Sequence, residues 1–306
     1  MELNTFSIAA RCSRTGQLGV AVASAVPAVG GLCPYIRAGI GAVTTQSWVN
    51  PYLALRILDG LARGQEAEAA LAVALDTDDR PDLRQIGLVD AGGVAAAWTG
   101  ADCTAQAGHR TGAGYAVQGN MLASNGVIDA MAQAFEDSGT CDLDERLMRA
   151  LEAGDDAGGD RRGKQSAALK IVDREDYPCL DLRVDEHAAP VPELRRILAV
   201  ARRQLVPFVA GMPRKDGPAS ALPENVAAML LQSPADRSGG ASAGAPDLLH
   251  DIIGLSPEAA GRLTHLQTQF ASILAEIRTL RTLDLAPIHP PVIFNPSLPY
   301  RQVPHD

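Results

Sequence analysis

Residues 5–24 read TFSIAARCSRTGQLGVAVAS, and this stretch decides how the fold begins. Thr5 to Arg11 has the composition and length of a strand. Leu18 to Ser24 is a run of small, mainly apolar residues, the pattern of a strand covered on both faces. Between them Arg14-Thr15-Gly16-Gln17 forms a turn, with Gly16 suited to a positive φ. The pair reads as a hairpin. A chain that opens in this way starts with strands, not with a βαβ crossover.

Working outward, Ile36 to Gln46 is a third extended segment. Helices are expected over 52–63 and 65–76, parted by Gly64. Gln85–Asp90 and Val94–Thr99 read as a second hairpin turning at Gly92 and Gly93. Tyr115–Gly119 is short and extended; helices follow at 125–137 and 143–153, and Gln165–Val172 is a closing strand. Runs of strands alternating with pairs of helices define an α+β chain. Two sheets between two helical layers would satisfy that order.

Beyond Tyr177 the character changes. A short strand-like Leu182-Arg183-Val184 precedes a helix from Pro190 to about Leu205. Residues 233–246 have the composition of a flexible linker. Ser256-Pro257-Glu258 then starts a helix, Ser as N-cap and Pro at the first position. Along it Leu263, Leu266, Phe270, Ile273, Ile277 and Leu280 form an apolar stripe at heptad spacing. Such a stripe must pack on its own domain, on a second copy or on a partner. The expected division is 1–176, 177–232, 233–246 and 247–306, the last a helix with a proline-rich arm.

Composition narrows the function. Of 306 residues, 46% are hydrophobic, and the net charge is −9. Nucleic-acid binding needs a basic face. The compact basic cluster Arg195, Arg196, Arg202 and Arg203 sits at helical spacing and reads as a solvated helix face. No apolar run approaches the ~20 residues of a membrane span. The N-terminus shows no signal-peptide pattern. Five cysteines, odd in number and without C-x-x-C spacing, suit reduced thiols in the cytoplasm. No His–carboxylate cluster has ligand spacing, so neither a metal nor a cofactor is expected. The loop at 158–166 does not have the spacing of a phosphate-binding P-loop.

Several polar residues could carry chemistry. Thr5 opens the first strand, and an N-terminal Thr is a nucleophile whose own amine serves as base; here Met1 to Asn4 precede it. Arg37, a charge in an apolar run, asks for a partner or an anionic ligand. Gln46 and Asn50 lie where a strand ends, although Asn50-Pro51 also reads as a capped helix start. His109 and Asn120 stand in Gly-punctuated loops, Asn120 as a donor to an oxyanion or as a turn residue. Asp160, Arg162 and Gln165 precede the closing strand, in a loop that can orient a nucleophile or clamp an anion.

In this order TFSIAARC, GQLGVAVAS, RAGIGAVTTQSWVNP, RQIGLVD, WTGADC, AGHRTG, YAVQGNML and GGDRRGKQSAALK closely resemble the domain-of-unknown-function family 1028, over about residues 4–175. The resemblance implies a four-layer αββα Ntn-hydrolase-like sandwich with a small C-terminal α-rich extension. It implies amidohydrolase-like chemistry on a C–N bond of a small molecule. Many members begin Met-Thr-Phe-Ser, which places Thr5 as nucleophile; Glu2, Leu3 and Asn4 intervene here. By the same resemblance Arg37 falls where related enzymes tune the nucleophile with a Lys. Asp160 and Asn120 join it as catalytic candidates, with Gln46, Asn50, His109, Arg162 and Gln165 as substrate-binding candidates. Residues 179–211 look like the small region, likened to peptidoglycan-binding modules, that follows this family's core. Residues 256–301 are similar to small accessory subunits of amidase-signature enzymes, which implies an amidase partner. The expectation is a cytoplasmic, homo-oligomeric hydrolase; the alternative is a non-catalytic assembly protein that recruits an amidase through its tail.

Overall fold

The structure, a computed structural model, describes residues 2–3, 5–217 and 223–233. The chain divides into two units at Ser233, and the first carries everything that follows. The expectations placed on residues 234–306 lie outside the described residues.

The strands are β1 (Glu2–Leu3), β2 (Thr5–Arg11), β3 (Leu18–Ser24), β4 (Pro34–Arg37), β5 (Gly41–Trp48), β6 (Arg84–Asp90), β7 (Ala95–Thr99), β8 (Gly108–Gly112), β9 (Tyr115–Gly119), β10 (Ser166–Val172) and β11 (Leu180–Val184). The helices are α1 (Pro51–Ala62), α2 (Ala67–Leu75), α3 (Gly126–Asp137), α4 (Leu143–Asp156), α5 (Pro190–Ala210) and α6 (Glu224–Leu231). Both sheets are antiparallel. The first runs β1-β5-β6-β7, with β4 also pairing β5; the second runs β11-β10-β3-β2-β9-β8.

The expected opening hairpin is present: β2 pairs β3 from Thr5↔Ser24 to Arg11↔Leu18, and Gly16 takes φ 79° in its turn. Alternation along β2 divides two environments. Phe6, Ile8 and Ala10 enter a core shared with α3, α4 and α5. Ala9 packs with Leu18, Val20, Ala42 and Val89, in the gap between the two sheets. A third core joins Val43, Ile86 and Leu88 to Leu53, Ile57 and Leu71 of α1 and α2. The layers are therefore helix, sheet, sheet, helix. Burying a side chain such as Phe6 stabilises the fold by about 1.5–3 kcal/mol.

Three details differ from the sequence reading. The segment 36–46 is not one strand: Gly39, at φ 68°, turns the chain between β4 and β5. Residues 108–112 form an edge strand, not a loop. The boundary at 176 does not separate two cores. β11 pairs with β10, and Leu180, Leu182, Leu194 and Leu198 share the core of Phe6 and Leu147. Arg195 also bridges Glu145 and Glu152 of α4 at 2.7 and 2.6 Å, so part of the basic cluster ties α5 to α4. Among the described residues, no helix is long and apolar enough to cross a membrane.

Candidate active site between the sheets

The gap between the sheets is apolar at one end and polar at the other. Beyond Ala9, Leu18, Val20 and Ala42, the inward positions become Thr5, Ser7, Ser24, Thr44, Gln46, Gln85, Gln118, Asn120 and Ser166, all fully buried. Buried polar groups are costly unless bonded, and these bond mainly across the gap. Ser7 Oγ of β2 donates to Gln46 Oε1 of β5 at 2.6 Å. Gln118 Nε2 of β9 donates to Thr44 Oγ1 of β5 at 2.6 Å, and also to Ser7 Oγ at 2.6 Å.

Gln85 of β6 organises the rest. Its Nε2 donates to the carbonyls of Gly119 at 2.8 Å and Gly108 at 3.1 Å. Those carbonyls can only accept, so the Gln85 nitrogen must face them and its oxygen must face the other way. There Gln85 Oε1 accepts from Gln46 Nε2 at 2.8 Å and from Asn120 Nδ2 at 2.9 Å. Two backbone carbonyls thus set the direction of three side-chain amides.

Thr5 lies at the polar end of β2. Its Oγ1 donates to Ser24 Oγ at 3.2 Å. Its carbonyl accepts from the Asn120 backbone N–H at 3.0 Å and from Gln46 Nε2 at 3.3 Å. Thr5, Ser24 and Ser166 are register neighbours on β2, β3 and β10, a row of three hydroxyls. Two residues before Thr5, Leu3 of β1 pairs with Ser47 of the other sheet. Both flanking amides are followed by a left-handed residue, Ser47 (φ 62°) after Gln46 and Met121 (φ 53°) after Asn120. Strain of that kind costs roughly 1–3 kcal/mol and clusters at functional sites.

The other expected residues divide. Asp160 is buried beside the row: its Oδ2 accepts from Ala25 N at 3.4 Å, one residue past Ser24. Arg162 forks onto Asp160 through Nε at 3.2 Å and Nη2 at 2.9 Å. The Gln165 backbone N–H donates to the Ser24 carbonyl at 2.8 Å. His109 sits exposed on edge strand β8, its Nδ1 2.9 Å from Thr99 Oγ1, and partial desolvation of the ring lowers its pKa. Asn50 caps α1 by accepting from Tyr52 N at 3.1 Å, and its Nδ2 donates to Asp78 at 2.7 Å. Arg37 pairs with Asp59 at 2.9 Å, both of them well exposed, and does not join the cluster.

The sequence reading passed over Gln85, Ser7 and Ser24, and gave no role to Gln118, which it placed with Gly119 and Asn120 in a polar loop. The signal for them was a polar residue within otherwise apolar strands, which a single strand cannot distinguish from a solvent-facing position. Cys33 lies against the cluster, 3.8 Å from Gln46 Oε1. Burial pushes its thiol up to about 12, so it is not a thiolate nucleophile near neutrality.

The cluster is almost entirely neutral. Asp160 is the one charged residue among the described buried polar residues, and neither His nor Lys is among them. The arrangement can hold a hydroxyl and a carbonyl rigidly in a water-poor space rich in donors. Such preorganised donors are what an acyl-transfer site requires.

Fold and site together define the class: a four-layer α+β protein of two antiparallel sheets, with a buried polar cluster at one end of the gap between them. The chain belongs to the family of unknown function DUF1028, whose model matches residues 5–194. It is similar to protein SPO2555 from Silicibacter pomeroyi, of the same family. That crystal structure aligns at 31% identity and TM-score 0.61, over 65% of this chain and 89% of its own. Anbu, the ancestral beta-subunit from Yersinia bercovieri, aligns over 69% of this chain and 100% of its own at 17% identity and TM-score 0.33. Anbu from Hyphomicrobium sp. strain MC1 aligns over the same shares at 11% identity and TM-score 0.32. Likenesses that slight carry no weight for function. No curated protein matches the chain.

Proposed function

We propose that this protein hydrolyses a C–N bond, amide or ureido, in a small molecule, with Thr5 as an N-terminal nucleophile exposed by removal of residues 1–4. The observation that carries the reading is the neutrality of the cluster around Thr5. A buried hydroxyl needs a base to become a nucleophile, and the described buried residues include no His or Lys. A freed α-amine at Thr5, with an ordinary pKa near 7.7–8.0, would supply one at the attacking residue itself. Thr5 would attack the substrate carbonyl, its amine taking the hydroxyl proton and returning it to the leaving nitrogen. Water would then release the acyl group. Asn120 and neighbouring backbone N–H groups are the proposed oxyanion donors. Asp160 is the proposed orienting group for the Ser24–Ala25 corner, and Arg162 a contact for an anionic substrate group.

The test is turnover of a panel of small amides and ureido compounds by the wild type and by Thr5→Ala. Loss of all turnover with the melting temperature preserved is expected. Turnover retained by Thr5→Ala would remove Thr5 from the mechanism.

A second reading is favoured by the burial of Thr5 and by the pairing of Glu2–Leu3 with Ser47–Trp48. If residues 1–4 stay in place, the protein is a non-catalytic binding or assembly protein, and residues 256–301 are its proposed contact for an amidase.

A further inference from the structure

His109 lies outside the cluster but is joined to it by consecutive hydrogen bonds. Its Nδ1 is 2.9 Å from Thr99 Oγ1. Gln85 Nε2, whose two hydrogens are shared among three acceptors, also donates to that same Thr99 oxygen at 3.0 Å. Gln85 Oε1 receives Gln46 and Asn120, and Gln46 Nε2 reaches the Thr5 carbonyl at 3.3 Å. With Gln85 donating to it, the Thr99 hydroxyl has its own proton to give, and the imidazole Nδ1 is the acceptor 2.9 Å away. The arrangement therefore calls for the neutral imidazole with its proton on Nε2.

We propose that His109, as this neutral tautomer, is a positioning residue: it fixes the Thr99 hydroxyl and, through Gln85, the side-chain amide of Gln46 that holds the Thr5 carbonyl and the side-chain amide of Asn120. The inference rests on the reading of Thr5 as the reactive centre. Protonating His109 at Nδ1 turns that nitrogen into a donor. Thr99 Oγ1 would then receive two donors, its own proton would lose its acceptor, and the Gln85 amide would compete with an imidazolium for the same oxygen.

The surroundings of His109 agree with a neutral ring. On β9 its register partner is the uncharged Gln118, and on β7 its contact is the uncharged Thr99. From α2, Glu68 lines the same cavity of about 370 Å³ as His109, Thr111 and Trp98. The neighbouring Arg110 on β8 is engaged by Asp129 and Glu136 of α3. Glu68 is the carboxylate that would favour the charged ring, whereas His109, although exposed on its edge strand, is partly desolvated against the cavity, which holds its pKa below the ordinary value.

The experiment is a pH titration of the full chain, labelled with ¹⁵N, that follows the His109 ring nitrogens and the side-chain amides of Gln85 and Gln46. It needs no substrate, so its failure is separate from failure of the Thr5 mechanism, which is read from Thr5→Ala turnover. The expected result is a ring protonated at Nε2 that titrates below its ordinary pKa, with the Gln85 and Gln46 amide signals shifting at the same inflection. Thr99→Val should remove the amide response and release the tautomer preference; Thr99→Ser, which keeps the hydroxyl, should restore both. Amide signals indifferent to the His109 titration in the wild type would overturn the proposal. So would a wild-type ring that carries its proton on Nδ1.

Discussion

The side-chain amide of Gln46, on one sheet, donates to the carbonyl oxygen of Thr5, on the other, at 3.3 Å. Gln85 fixes which way that amide points, because its oxygen takes the other Gln46 Nε2 hydrogen bond at 2.8 Å. Thr5 is thus held by a side chain from the opposite sheet as well as by its own sheet.

Replacing Gln85 with Leu should be among the most damaging single changes. It would remove the acceptor shared by the Gln46 and Asn120 side chains and the amide that donates to the Gly108 and Gly119 carbonyls. Losing buried hydrogen-bond partners costs about 1–3 kcal/mol each, so a loss of roughly 3 kcal/mol or more is expected. Urea unfolding of the variant measures it. A loss below about 1 kcal/mol would mean that the network relaxes around the gap.

Gly87 faces Gln118 across the gap, and a Cβ there would lie 1.7 Å from Gln118 Oε1. Gln118 cannot easily yield, since its Nε2 is held by Ser7 and Thr44. Gly87→Ala should therefore destabilise by about 1–3 kcal/mol, the usual range for overpacking. Thermal unfolding reads this directly. Gln118→Ala in the same background should recover part of the overpacking penalty.

Arg37→Ala should leave turnover unchanged and alter stability by about 0–1 kcal/mol, the worth of an exposed ion pair. Its guanidinium meets Asp59 on the surface. A large loss of turnover, measured beside the wild type on the same substrate, would restore Arg37 to the site.

Acid should unfold the protein through carboxylates held by arginines. Burial alone would raise Glu145, but hydrogen bonds from Arg195, Arg149 and Arg202 outweigh it and hold it at about 2. Burial likewise opposes Asp78, while Arg84, Asn50 and the Arg80 backbone N–H hold it at about 2. Both folded values lie below the unfolded ones, near 4.5 and 3.8. The unfolded chain therefore binds more protons in that window, and the stabilisation present above it is lost as pH falls toward about 2. Urea midpoints measured from pH 6 down to 2 should fall across this window. Arg84→Gln should flatten the part due to Asp78.

The layered fold was legible because its strands and helices announce themselves locally. Leu18–Ser24 is apolar on both faces, and in the structure it is buried throughout. The edge strand Gly108–Gly112 was not legible, since Gly, His, Arg and Thr give no apolar alternation; its pairing with β9 makes it a strand. The polar cluster was half legible. Thr5, Gln46, Asn120 and Asp160 stood out as polar residues at strand ends or in Gly-rich loops. Gln85 did not, and Gln118 stood out only beside Asn120 and without a role, because a polar residue on a strand normally faces water, and only the second sheet turns that face inward. Asn50 carried both a cap and a site in the sequence; the structure places it as the cap of α1.

The measurement that tests the central claim most directly is the N-terminal sequence and intact mass of a preparation shown to turn over a C–N substrate. The account predicts a chain that begins at Thr5, with residues 1–4 gone and the α-amine free. An active chain that still carries Met1 or Glu2 would contradict it, because Thr5 would then have no amine to act as base.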